Sequence, residues 1–510
     1  MTAELGEVTI AQLQEDMAAG ARTAAGIAEG YLAAIEAVDG ALCSVIETNP
    51  DAAAIAGQLD RERLDGHVRG PLHGIPILLK DNIDTADRMQ TTAGSLALLG
   101  SRAAGDATVA AALRQAGAVI LGKANLSEWA NFRSTSSTSG WSARGGQCRN
   151  PYDLSRNPGG SSSGSGAAVS AGLAAAALGS ETDGSIVNPS GACGIVGIKP
   201  TVGLSSRAGV IPISHTQDTV GPMARTVADA AAVLGALTMA DARDAATAAK
   251  GRTVHGDYRP FLDADGLRGA RIGVAREGVS GYHDGTEKVF EDAIRAIRDA
   301  GAEVIDPADI PTVGSEEMGA SELVIMQTEF KHGVAAYLAT RTVVNADLPQ
   351  PGSLADLVRF NREHAEQELV HFGQERFELA LESGPLDGED YLQALATGRR
   401  LAAAEGLDAV LDAYGLDALI APTGGPAWPL DPQDGDAVHG GSSRCAAVAG
   451  YPLVTVPAGF VPPASETGAE IGLPIGLSFM GRAWSEPILI RLAYAFEQIS
   501  QVRRPLEPRG

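Results

Sequence analysis

Along most of the chain apolar residues recur at helical spacing, and the stretches that break this rhythm are short, wholly apolar and bounded by glycine or proline. Ile10, Leu13 and Met17, then Ile27, Tyr31, Leu32 and Ile35, predict two helices with a break near Gly20. Residues 45–47 read as a short strand, and 51–64 as a charged amphipathic helix on the surface. Ile75-Pro76-Ile77-Leu78-Leu79-Lys80 reads as a buried strand ending in a lysine. A helix over 107–116, stopped by Gly117, leads into a second buried strand over 119–123. From 167 to 178 the side chains are small, apolar and uncharged, which predicts a buried helix. Residues 203–222 read as turn-rich and 224–237 as a helix. Strands follow at 271–275 and 303–305, with a helix over 287–300 between them. Residues 315–415 carry helical patterns with charged faces; strands at 417–423, 453–457 and 475–480 precede an amphipathic helix over 486–498. This alternation predicts an α/β sheet.

Composition narrows the classes. The chain has 510 residues, 45% of them hydrophobic, and no Pro/Ser linker or charge block divides it, which predicts one large domain. A net charge of −24 disfavours nucleic acid and anionic membrane surfaces as partners. Cys43, Cys148, Cys193 and Cys445 are scattered without a Cys-x-x-Cys pair, and the histidines make no ligand spacing, so no metal and no cofactor is expected. His332, His364 and His371 read as surface or capping residues. The first residues are acidic and lack the apolar core of a signal peptide, and no apolar run is long enough to span a bilayer; a cytoplasmic location is expected, with an exported form whose signal has been removed left open.

Candidate chemistry sits at the two ends of the 167–178 run. One end is Gly159-Gly160-Ser161-Ser162-Ser163-Gly164, with Ser161–Ser163 where an N-cap would fall; the other is Glu181-Thr182-Asp183-Gly184-Ser185. A glycine linker would be exposed and would not flank an apolar helix. A phosphate cradle would need a Walker lysine or a third dinucleotide glycine, and neither is there. A hydroxyl nucleophile on a tight turn fits better, because Gly184 lets several backbone N–H groups face one point, as an oxyanion requires. A serine needs a base, and neither turn holds a histidine. Lys80 can serve if burial lowers its pKa; Lys123 also ends a strand. Trp129, Asn131, Phe132 and Trp141 stand in a Ser/Gly-rich loop over 125–146, as core packing or as the lining of a substrate cleft.

Lys80-Asp81-Asn82, Gly159-Gly160-Ser161-Ser162 and Gly184-Ser185-Ile186 together resemble the amidase signature family. The resemblance runs on through Gly197-Ile198-Lys199-Pro200-Thr201, Asp218-Thr219-Val220-Gly221-Pro222, Ala449-Gly450-Tyr451-Pro452 and Gly476-Leu477-Ser478-Phe479. It implies a twisted, mostly parallel mixed sheet covered by helices on both faces. It also implies one domain over 1–510, with an N-terminal helical segment over 1–66, a signature core over 67–237 and a remainder over 238–510. Ser185 matches the family's nucleophile, Ser161 the bridging serine that follows a cis peptide bond, and Lys80 the base; Lys123 matches no triad position. The implied oxyanion hole is the backbone N–H groups of Thr182, Asp183, Gly184 and Ser185. Two departures, Ser163 and Val187 in place of a frequent glycine and arginine, resemble bacterial peptide amidases, as do 126–132 and 140–146. That subgroup removes the C-terminal amide of peptides, and Asn131, Trp129 and Phe132 become candidate substrate contacts. The implied partner is a small-molecule or peptide amide; monomer and homodimer are both open. Competing readings are the transamidase component of a glutamyl-tRNA amidotransferase, a broad small-amide hydrolase, and a binding module with a decayed site.

Overall fold

The computed structural model describes residues 5–431, 435–438, 440–462 and 472–506. Eleven strands form its main sheet: β1 Val45–Thr48, β2 Pro76–Lys80, β3 Val119–Ala124, β4 Ala176–Glu181, β5 Val196–Lys199, β6 Thr219–Ala224, β7 Arg271–Val274, β8 Glu303–Ile305, β9 Ala418–Pro422, β10 Leu453–Val461 and β11 Leu473–Met480. They lie in the order β1-β3-β2-β4-β6-β5-β10-β11-β9-β7-β8. The sheet is mixed, as the resemblance implied. Its parallel pairs fall in two blocks, β3-β2-β4 and β9-β7-β8, and the other six of the ten pairings are antiparallel, a larger share than expected. β2, β3 and β4 are buried along their whole length, because helices cover both faces of the sheet and leave no solvent side for polar residues. Among the described residues no helix is long and apolar enough to cross a membrane.

Most of the predicted elements are found within a few residues of their expected ends, among them the helices Ile10–Ala18 and Ala24–Leu42 on either side of Gly20. The single helix expected over 167–178 is not. The structure has a short helix, Ser163–Ser170, then a turn, then β4. The helix is stopped by Gly172 at φ +72°, with Leu173 N donating to Ala168 O (2.8 Å) and Gly172 N to Val169 O (3.2 Å), which satisfies the last carbonyls. The alanines beyond become a strand because β2 and β6 offer partners on both sides, so tertiary pairing overrides helix propensity. The helix begins at the serine turn and lies tight against the sheet: a Cβ on Gly164 would meet Ser44 O at 2.2 Å. Ser162 holds the N-cap position, but its hydroxyl donates to Ser180 O (3.1 Å) and caps nothing.

β6 was also hidden, because Gly221-Pro222 reads as a turn. Its glycine serves a close approach of strands, since a Cβ there would lie 1.9 Å from Ile198 O. The helix after it starts at Val227, with Thr226 Oγ1 accepting from Asp229 N (3.1 Å).

Candidate active site

Two glycine-rich turns converge at the C-terminal ends of β2 and β4. Lys80, the last residue of β2, is fully buried, and its Nζ lies 2.8 Å from Ser161 Oγ, 3.0 Å from Ser180 Oγ and 3.1 Å from Ser180 O. Ser180 Oγ also accepts from Asn82 Nδ2 (2.8 Å). A neutral amine has two hydrogens and one lone pair. With its hydrogens on the two Ser180 oxygens, its lone pair faces the Ser161 hydroxyl. Burial favours that neutral form: desolvation draws the Lys80 pKa from 10.5 down to about 7, against the opposing charges of Asp218 and Glu181.

Two other lysines are equally buried, so burial alone does not single out Lys80. Lys123 donates to Ile83 O and to Thr91 Oγ1 (2.9 Å). Lys199 donates to Tyr451 O (2.6 Å), and desolvation lowers its pKa to about 8. Of the three, only Lys80 contacts a serine of the two glycine-rich turns.

Ser161 follows a cis peptide bond from Gly160, as the resemblance implied. Gly159 adopts φ +74°, and a Cβ on Gly160 would come within 2.4 Å of Ser127 Oγ, so both glycines are required by the packing. Ser127 N donates to Ser161 O (3.0 Å) and Gly160 N to Asn188 Oδ1 (3.2 Å). The neighbouring hydroxyls have structural partners: Ser162 donates to Ser180 O, and Ser163 to Gly159 O (2.6 Å).

Ser185 sits in the turn after β4, with Gly184 at φ +78°. Ser162 N donates to Ser185 O (3.1 Å), which ties the two serine turns together. The Glu181 carboxylate accepts from Ile186 N (2.6 Å) and Val187 N (3.0 Å). Among the described residues, the N–H groups of Thr182, Asp183, Gly184 and Ser185 have no hydrogen-bond acceptor, and so are free for a ligand oxygen. No hydrogen bond joins Ser161 Oγ to Ser185 Oγ; such contacts commonly close only when substrate is bound. The turn is braced from behind: Thr182 Oγ1 donates to Asp218 Oδ1 (2.6 Å), and Asp218 Oδ2 accepts from Ile213 N (2.8 Å) and Ser214 N (3.0 Å).

A cleft of about 210 Å³ opens at these turns, walled by Gly160, Asp183, Gly184, Asn131, Ser139 and Ser443. Asn131 donates from Nδ2 to Ser139 Oγ (2.9 Å), while its Oδ1 is buried without a partner. Trp129, Ala130 and Asn131 all have positive φ, at 48°, 53° and 66°. A left-handed turn costs about 1–2 kcal/mol per non-glycine residue, so it persists only where its surroundings hold it. The aromatic residues do this. Trp129 meets Phe330 and Phe377 edge-on at 6.3 and 5.6 Å, and Phe132 meets Phe330 at 4.9 Å. Trp129 and Phe132 are therefore core residues that brace the turn, and only Asn131 of the three faces the cleft. Trp141 packs against His371 and Phe372 with the Arg133 guanidinium above it.

Ser180 and Asp436 were not singled out from the sequence, and Asn82 and Asp218 stood in motifs without an assigned role. Asp436 accepts from Ser139 N (2.9 Å), Ser139 Oγ (2.5 Å), Asn157 Nδ2 (3.2 Å) and Trp428 Nε1 (3.1 Å), fastening the far wall of the cleft. The position of Ser180, two before Thr182, was a usable signal; Asp436 offered none, being far from every motif.

A buried lysine on one serine, beside a second serine in a turn of free N–H groups, is an arrangement suited to a serine-dependent hydrolase. Residues 27–490 match the amidase family model, and the chain belongs to that family. It is similar to the native peptide amidase of Stenotrophomonas maltophilia, with 51% identity over 98% of each chain and a TM-score of 0.91. A peptide amidase in complex with the competitive inhibitor chymostatin matches equally, with 51% identity, a TM-score of 0.91 and 98% and 99% of the two chains covered. A probable amidase of Arabidopsis thaliana is 42% identical over 99% of this chain and 92% of its own. A glutamyl-tRNA(Gln) amidotransferase subunit of Chloroflexus aurantiacus is 35% identical over 98% of both.

Proposed function

We propose that this amidase hydrolyses the C-terminal amide of peptides to the free acid and ammonia. The observation that carries the substrate class is Asn131 Oδ1, a buried acceptor without a partner in the cleft wall beside Gly160. An unpaired buried acceptor is costly, and a peptide N–H next to the scissile amide satisfies it. The likeness to two solved structures of peptide amidase supports the same reading.

The chemistry follows from the proton inventory. Neutral Lys80 takes the proton of Ser161 as Ser161 takes that of Ser185, and Ser185 Oγ attacks the amide carbonyl. The new oxyanion is received by the N–H groups of the 182–185 turn. The proton then passes from Lys80 through Ser161 to the departing nitrogen, the C–N bond breaks, and ammonia leaves an ester on Ser185. Water adds to the ester by the same relay, and the peptide acid is released with Lys80 neutral again.

The test is ammonia release by the isolated chain from an N-acetylated dipeptide amide, beside acetamide and beside glutamine with glutamyl-tRNA. Turnover of the dipeptide amide far above acetamide, without partner subunits, is expected. Equal turnover of acetamide favours a broad small-amide hydrolase. Dependence on tRNA and added subunits favours a transamidase, and no turnover at all a binding module.

A further inference from the structure

A second cavity, of about 480 Å³, lies away from the cleft, between residues 202–216, 243–246 and the helix Glu389–Arg399. In a chain with a net charge of −24, three arginines and a histidine line it, namely Arg207, Arg243, Arg399 and His215, with Asp244 the one acidic residue in its wall. The nearby carboxylates are already matched. Asp244 accepts from Arg207 at Nε and Nη2, both 2.6 Å, and from Arg207 N at 2.8 Å. Glu329, beneath the floor, accepts from Tyr391 OH (2.7 Å), Thr216 N (3.1 Å), Thr216 Oγ1 (3.2 Å) and Ser214 Oγ, with His215 Nε2 at 3.4 Å. Asp241 is shared by Arg243, Thr108 and Ser206.

Two cations remain with capacity. Arg243 is 61% exposed in its side chain and its Nη1 makes no hydrogen bond; the Arg399 guanidinium is exposed and has no hydrogen-bond or ion-pair partner among the described residues. Val202, Ala245, Ala246 and Leu395 give the lining its apolar part, and Thr216 and Tyr391, both turned to Glu329, complete it. A concave wall with apolar surface, one unpaired guanidinium (Arg399) and one that keeps a free Nη1 beside its ion pair with Asp241 (Arg243) selects an anion with an apolar body. We propose that this cavity is a second ligand site, separate from the cleft, for a small organic carboxylate whose charge is held by Arg243 and Arg399.

The test is calorimetric titration of the full chain with N-acetylleucine, and in parallel with inorganic phosphate, at constant ionic strength. Saturable binding of N-acetylleucine is expected, weakened at least about fivefold in each of Arg243→Gln and Arg399→Gln, as the loss of a charge-assisted contact predicts. Both variants should melt with the wild type and release ammonia from a dipeptide amide at the wild-type rate, since neither residue touches the cleft. Binding that both variants retain places the acid elsewhere, the cleft included, and overturns the proposal. Phosphate binding as tightly as N-acetylleucine removes the apolar body from the recognition and overturns it too, as does the absence of saturable binding by either.

Discussion

If Lys80 is the base, activity must follow its neutral fraction. At its ordinary pKa only about one lysine in a thousand is neutral near pH 7.4. At the value of about 7 that burial imposes, roughly seven in ten are neutral, a gain on the order of several hundredfold. A shift of that size corresponds to about 5 kcal/mol against charging the buried amine. The sign is definite: raising the pH deprotonates Lys80, so kcat/KM for a dipeptide amide should rise about tenfold from pH 6 to pH 8, with a midpoint near 7. Asp218 is the largest charge holding that midpoint up, and Asp218→Asn should move the acid limb to lower pH. Lys80→Arg should lose at least about thirtyfold. Even with the same desolvation a guanidinium stays almost wholly charged, and its planar shape does not fit three oxygens arranged around one tetrahedral nitrogen. The assay is ammonia release across the pH range, with circular dichroism to confirm the fold of each variant. A wild-type profile flat between pH 6 and 8, or Lys80→Arg with more than about a tenth of wild-type activity, would refute this reasoning. The same shift makes this group's contribution to folding stability rise with pH between about 7 and 10.5, because the unfolded chain binds the extra proton there.

Ser185→Ala should lose about four to six decades of turnover, and a sulfonylating reagent should label Ser185; labelling at Ser162 or Ser163, both tied to carbonyls, would reassign the nucleophile. Asn131→Ala should lower kcat/KM for dipeptide amides roughly twofold to twelvefold, the worth of one neutral hydrogen bond, and leave acetamide unaffected; equal losses on both would make Asn131 a structural residue. Arg133, fully buried between Glu128 (2.5 Å) and Glu368 (3.5 Å), anchors the strained turn, and Arg133→Met should destabilise the protein by about 3–5 kcal/mol in urea unfolding by leaving the carboxylates unpaired. Lys199→Met, if folded, should keep the wild-type acid limb, since Lys199 contacts Tyr451 O and neither serine turn.

Local pattern carries far in this chain. Helical spacing and short apolar runs located most elements because amphipathic periodicity is a property of neighbours in sequence. The two serine turns were legible because glycine-rich turns at both ends of an apolar run do not read as an ordinary linker, and Lys80 was told from Lys123 by the Lys80-Asp81-Asn82 motif of the family. Whatever depended on distant partners was not. Ala176–Glu181 became a strand because β2 and β6 flank it, against its own helix propensity. Trp129 and Phe132 turned from cleft lining to core because Phe330 and Phe377, some two hundred residues on, pack against them. Lys80, Lys123 and Lys199 are alike in burial, and only folding decides which one meets Ser161. Hydrophobic patterning states which side chains leave water; which polar atoms then face one another is set by long-range packing, and the chemistry depends on that.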